Sequence, residues 1–219
     1  MHAKKDANVK GIYILASSNA NGFAASEEIR KALLDFRKSK KFVVAYGETI
    51  TQKGYSVANV AQKIFVHPQG GLEWAGFSSN LLFLKGMLDK LEIKPQIFYA
   101  GKFKSATEPF RYAQMSEANK LQTSVWLNAL YTSFIQSVAD TRGIEVAALK
   151  QMANEGKIQS ANDALENNLV DGLLYDDQVK KLIAKKVRVN KQEDISFVSI
   201  NDYLATVALR GSGSGKIAI

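Results

Sequence analysis

The sequence of 219 residues predicts an α/β fold: a mostly parallel sheet covered by helices, followed by a C-terminal helical part. Three observations lead there. Short apolar runs rich in β-forming residues alternate with segments of helical period, as a parallel sheet with crossover helices requires. After Pro109 the alternation stops and only helical period remains. With 46% hydrophobic residues, the chain is long enough to bury one core of domain size.

The elements follow in order. Gly11-Ile12-Tyr13-Ile14-Leu15 reads as a buried strand feeding the polar loop 17–22. Ser26 is the expected N-cap of a helix carried by Ile29, Leu33 and Phe36 to the basic end at Lys38, Lys40 and Lys41. A strand over 42–46, a short amphipathic helix over 54–62, a strand over 63–67 and a turn over 68–71 come next. Leu82, Phe83, Met87, Leu88 and Leu91 predict a helix over 79–91 capped by Ser78-Ser79, and residues 96–100 predict another strand. A long helix over 116–142, broken at Gly143, opens the helical part. Further helices are expected over 145–154, 160–168 and 176–186, with Ser116 and Ser160 as starts. Residues 187–209 read as an extended connection with a short helix near Tyr203. Gly211 to Gly215 form a glycine-serine hinge, and Lys216-Ile217-Ala218-Ile219 would be the first residues of another strand, able to pair with an exposed sheet edge.

Composition removes several classes of function. Without cysteine there is neither a disulfide framework nor a thiol nucleophile, and two histidines, His2 and His67, argue against a histidine-rich metal site. No apolar run approaches the roughly 20 residues that span a bilayer, and the opening residues lack the apolar core of a secretory signal. The net charge is +8, but apart from Lys38, Lys40, Lys41 and the run Lys180, Lys181, Lys185, Lys186 the cations are scattered. No basic stripe carries interleaved stacking aromatics, so a nucleic-acid partner is not expected. His67 before Pro68 reads as structural.

The residues with the clearest chemical potential lie at the junction of sheet and helical part, in Tyr99-Ala100-Gly101-Lys102-Phe103-Lys104-Ser105-Ala106-Thr107-Glu108-Pro109-Phe110. In an extended stretch Lys102 and Lys104 share one face, and burial with mutual repulsion favours a neutral amine that can act as a base. Bringing a lysine from about 10.4 to about 7.5 costs roughly 4 kcal/mol, so such a site must be well desolvated. Two surface lysines before a turn are the plain alternative, and an ion pair of Lys104 with Glu108 is another. Ser105, adjacent to Lys104, would point to the opposite face and is a poor candidate nucleophile.

Gly101, Phe103-Lys104-Ser105-Ala106 and Glu108-Pro109-Phe110 resemble the lysine motif Gly-x-Tyr-Lys-Ser-Ala-x-Glu-Pro-Phe of the signal peptide peptidase A (SppA) family. The likeness extends through Tyr46-Gly47-Glu48, Tyr55, Pro68-Gln69-Gly70, Leu88-Asp89-Lys90-Leu91 and Ala164-Leu165-Glu166-Asn167-Asn168-Leu169-Val170-Asp171, covering roughly residues 8 to 185. The resemblance implies a ClpP/crotonase-type fold with repeated strand-strand-helix units over 1–186, short of a strand before residue 11, with 187–219 as a linker and the start of a following copy. It implies Lys104 as general base, with the Ser105 hydroxyl helping to hold the amine. Long members carry two tandem copies, and this chain is most similar to the first, the second holding the serine. Matching on Tyr55 places Gln52 at the nucleophile position, and the loop Ser18-Asn19-Ala20-Asn21 lacks the glycines expected to cradle an oxyanion.

The function so implied is a serine endopeptidase with a Ser/Lys dyad that degrades remnant signal peptides. Lys104 is supplied here and the serine by the downstream copy, so this chain alone is expected to be inactive. The implied partners are the peptide substrate, the serine-bearing copy, further copies in a homo-oligomer and a membrane surface, on the extracytoplasmic face of a bacterial inner membrane. No metal or organic cofactor is implied, and the chain itself is expected to be soluble. The competing reading is a non-catalytic scaffold of the same fold that assembles through Trp126, Leu130, Phe134 and Val138, a stripe equally suited to the chain's own core. An acyl-CoA enzyme of the same broad fold is a weaker third.

Overall fold

The computed structural model describes residues 2–206. A short helix α1 (His2–Lys5) precedes four parallel strands in spatial order β1-β2-β3-β4: β1 (Gly11–Leu15), β2 (Phe42–Ile50), β3 (Lys63–Leu72) and β4 (Gly172–Leu173). Helix α2 (Phe23–Arg37) joins β1 to β2, and α3 (Gln52–Ala58) joins β2 to β3. Between β3 and β4 run α4 (Lys85–Lys90), a 3-10 turn over Ser105–Thr107, α5 (Glu108–Arg111), α6 (Glu117–Arg142), α7 (Val146–Asn154) and α8 (Ala161–Glu166). Helices α9 (Asp176–Val187) and α10 (Ile200–Thr206) complete the described chain. This is the expected α/β arrangement with a mostly helical C-terminal part, except that β4 interrupts the run of helices expected after Pro109 and returns to the sheet.

The sheet is buried on both faces, which is why its central strands read as unbroken apolar runs. Val43, Ala45, Ile64 and Val66 face Phe36, Tyr55, Trp74, Phe134, Val138 and Leu149. Alternate residues Val44, Tyr46 and Phe65 face Val179 and Ile183 of α9. Two buried polar groups tie the halves together. Tyr55 Oη donates to the Leu169 carbonyl at 2.5 Å, and Trp74 Nε1 donates to the Leu149 carbonyl at 3.1 Å. Without such acceptors each donor would cost about 1–3 kcal/mol on burial.

Strand β4 has only two residues and depends on Asp171 beside it. The carboxylate accepts the Ile64 N–H at 2.9 Å, Arg142 Nη1 at 2.9 Å and Lys63 Nζ at 3.1 Å. Burial pushes the Asp171 carboxyl up, but the Ile64 N–H, the Arg142 guanidinium and the Lys63 ammonium outweigh it and hold it below the ordinary 3.8.

Several expectations are corrected. Residues 68–71 do not turn: β3 continues through Pro68 and Gly70 to Leu72, and a register shift between Gly47 and Thr49 absorbs the irregularity. Gly70 is required there, since a Cβ would stand 1.6 Å from the Glu48 carbonyl. Residues 96–100 form no strand: they make no backbone hydrogen bond with any described residue, and Phe98 is 94% exposed. The helix over 79–91 shrinks to α4, whose N-cap is Leu84, so Ser78-Ser79 cap nothing. Ser26 lies inside α2 and donates to the Gly22 carbonyl at 2.9 Å, while Gly22 takes the cap position. Helix α3 starts at Gln52, earlier than expected, because Thr51 Oγ1 accepts the Gly54 N–H at 3.1 Å. Ser116 and Ser160 do cap α6 and α8, and Gly143 ends α6 at φ +67°.

Beyond Val187 the chain packs back on the sheet. Ile195 joins the cluster around Val44 and Phe65, Phe197 lies against Tyr13, and Tyr203 of α10 donates to Asp6 at 3.0 Å. The proposed pairing of Lys216 to Ile219 with a sheet edge, and the glycine-serine hinge before it, lie outside the described residues.

Candidate active site

After Phe77, whose ring packs on Phe134, the chain leaves the core and forms an arm that returns only in the second half of α6. Helices α4 and α5 pack together, with the Leu84 N–H donating to the Pro109 carbonyl at 2.7 Å. Large apolar side chains of the arm face outward, among them Leu82, Met87, Leu91, Phe98 and Phe103. The Trp126, Leu130, Phe134, Val138 stripe divides accordingly: Phe134 and Val138 are buried in the core, whereas Trp126 is exposed.

Lys104 sits on this arm, at the end of a bend begun by Gly101 at φ +94°. A bend, rather than an extended stretch, separates Lys102 from Lys104, so period-2 spacing does not apply to them. The Lys104 side chain is exposed, and Nζ makes no hydrogen bond or ion pair with any described residue, Ser105 included. Ser105 opens the 3-10 turn, and its carbonyl accepts the Glu108 N–H.

Glu108 does not pair with Lys104. Its side chain turns inward, and the residue is only 3% exposed. There the carboxylate accepts Ser116 Oγ at 2.6 Å, the Ser116 N–H at 3.1 Å and Asn119 Nδ2 at 2.8 Å. Burial pushes the carboxyl up, and the donors on Ser116 and Asn119 more than reverse this, so Glu108 is held below the ordinary 4.5. The Lys104 turn is thereby pinned to the N-terminus of α6, where a carboxylate is also favoured by the helix dipole.

Gln52 occupies a different place. The step from β2 through Thr51 into α3 brings it beside the loop 18–21, where Asn19 Nδ2 donates to Ser26 Oγ at 2.8 Å and to the Lys53 carbonyl at 3.3 Å. Gln52 is 7% exposed; its Oε1 accepts the Ala75 N–H at 2.7 Å, and its own N–H donates to Glu73 Oε2 at 2.9 Å. An amide held in this way offers no nucleophile. A cavity of about 330 Å³ adjoins it, lined by Gln52, Glu73, Phe77 and Trp126 among others, and Lys104 is not among its lining residues. The fold therefore unites Gln52 with the loop 18–21 and displays Lys104 elsewhere.

Two features were not anticipated from sequence. Glu73 and Ala75 partner Gln52, and no local pattern marks them. Arg111 stacks on Tyr99; both flank the lysine motif, and only their closeness in sequence to it hinted at a role.

Comparison with known proteins gives these residues a family setting. The model of peptidase family S49 matches residues 35–190. This chain belongs to peptidase family S49. Its parallel sheet and helices are consistent with the ClpP/crotonase-type fold, and Gln52 and Lys104 both lie inside the region matched to the S49 family. The chain is similar to Protease 4 of Salmonella typhi, 34% identical over 226 residues that cover 99% of this chain and 36% of that protein. It is similar to the chloroplastic serine protease SPPA of Arabidopsis thaliana, 28% identical over 99% of this chain and 32% of that protein. Protease 4 of Haemophilus influenzae is 28% identical over 92% of this chain and 34% of its own length. The chain thus spans about a third of the length of these S49 relatives.

Proposed function

We propose that this chain is the lysine-bearing part of a serine endopeptidase that degrades remnant signal peptides, with Lys104 as general base and the nucleophilic serine on a downstream copy. The observation that carries the reading is the display of Lys104 on a pinned turn, amid exposed apolar side chains, with no described residue bonded to its Nζ. The names of the relatives, two of them Protease 4 and one a serine protease, support the reaction class.

In the assembled site, neutral Lys104 Nζ takes the proton of the serine Oγ as that oxygen attacks the peptide carbonyl. The resulting ammonium returns the proton to the leaving amine as the C–N bond breaks, and the neutral amine then activates the water that releases the acyl group. Closure of the partner copy over Phe98, Phe103 and Leu82 would remove water from the lysine, which the chain by itself does not do. Ser105 would help orient the amine in that closed state. Further copies in a homo-oligomer, and an extracytoplasmic membrane surface, belong to the same proposal.

The test is labelling by a serine-hydrolase probe of this chain and of the protein extended through the downstream copy, each with Lys104 intact or as Lys104→Ala. Labelling of the extended protein alone, lost in Lys104→Ala, is expected. Labelling indifferent to Lys104 would overturn the reading and favour the assembly scaffold, for which the same exposed apolar arm would serve as the docking face.

A further inference from the structure

We infer that Arg111 is a positioning residue for Lys104, acting through a stack on Tyr99 that closes the loop carrying the lysine. The inference rests on the reading of Lys104 as the base. The Arg111 guanidinium lies 3.6 Å from the centre of the Tyr99 ring and 4.8 Å from that of Tyr112. Its Nε donates to Thr107 Oγ1 at 3.1 Å, and its Nη1 donates to Tyr112 Oη at 3.3 Å. Tyr99 precedes Lys104 and Arg111 follows it, so the stack joins the two ends of the loop whose middle presents Nζ.

The two sides of that loop are held very differently. Downstream of Lys104, Glu108 is buried and bonded to Ser116 and Asn119. Upstream, residues 94–100 make no hydrogen bond with any described residue and pair with no strand. Gly101 sets the direction of the bend there, but a glycine fixes little by itself. The Tyr99–Arg111 stack ties residues 94–100, next to the lysine, to the anchored side. A planar guanidinium suits both jobs at once, because its face covers an aromatic ring while its Nε–H keeps an in-plane acceptor. A lysine at this position would lack both the plane and the directed donor.

The test uses the protein extended through the serine-bearing copy, with Arg111→Met, Tyr99→Ala and Tyr99→Phe beside Lys104→Ala. Displacement of a catalytic group lowers turnover without weakening substrate binding, so Arg111→Met and Tyr99→Ala are expected to lower kcat about 10- to 100-fold with KM nearly unchanged. Tyr99→Phe keeps the ring and is expected to keep kcat, and none of the three should shift Tm appreciably. If Lys104→Ala abolishes turnover while Arg111→Met and Tyr99→Ala leave kcat intact, the positioning role is overturned and the base remains. A loss that follows a fall in Tm, or that Tyr99→Phe fails to rescue, also overturns it. Turnover that survives Lys104→Ala removes the base itself, and the positioning role with it.

Discussion

Glu108 and Asp171 are carboxylates that the fold draws out of water, and each is held below its ordinary range by the groups that receive it. A carboxyl whose folded-state pKa lies below its unfolded value stabilises the protein fully above the unfolded value, and that contribution fades as pH falls through the folded one. Thermal unfolding followed by circular dichroism should therefore show a level Tm near neutrality and a decline below about 4.5, the ordinary value for Glu108, continuing past that for Asp171. Asp171→Asn should lower stability at neutral pH by about 1–3 kcal/mol and flatten the acid decline, since it leaves Arg142 and Lys63 without their charge partner. The motif made Glu108 legible as a residue of interest, but its partner was misread. Adjacency to Lys104 suggested an ion pair, whereas a carboxylate this buried needs several directed donors, and those stand on α6.

Among the elements, β1 and the first halves of β2 and β3 were legible because strands packed into the core are apolar throughout, whereas Gly47 to Ile50 of β2 carry no such run. The second half of β3 was not, since Pro68 and Gly70-Gly71 are turn residues in any local reading; only the crowding against the Glu48 carbonyl explains their place in a strand. Strand β4 is too short for any period to register, and residues 96–100 have β-forming side chains without a neighbour to bond. The approach of α3 to β1 yields the sharpest prediction here. A Cβ on Gly54 would lie 2.2 Å from the Ala16 carbonyl, a backbone atom that cannot swing aside. Gly54→Ala should cost about 1–3 kcal/mol of stability, read as a lower Tm. Gly76→Ala, with nothing within 4 Å of the added carbon, is the control and should stay within about 0.5 kcal/mol.

For the whole molecule, the contrast is between a closed core and an open arm. Leu82 is 77% exposed and Phe98 94%, a degree of apolar exposure that marks a contact surface. In the extended protein, Leu82→Asp with Phe98→Asp should shift the mass measured by light scattering toward smaller species and reduce probe labelling together, while Tm of the isolated chain stays the same. The same contrast explains how far the candidate site could be read in advance. Its lysine is announced by the residues around it, but the burial it needs is not encoded within the described residues. Gln52 carries a consequence of another kind. On the proposed reading, its carboxamide stands where the other copy keeps a serine and has become the acceptor for the Ala75 N–H. Gln52→Ser would strip that N–H of its partner, at about 1–3 kcal/mol, before any chemistry could follow. Gln52 is thereby stitched into the fold, so this copy resists gaining a nucleophile by a single substitution at that place.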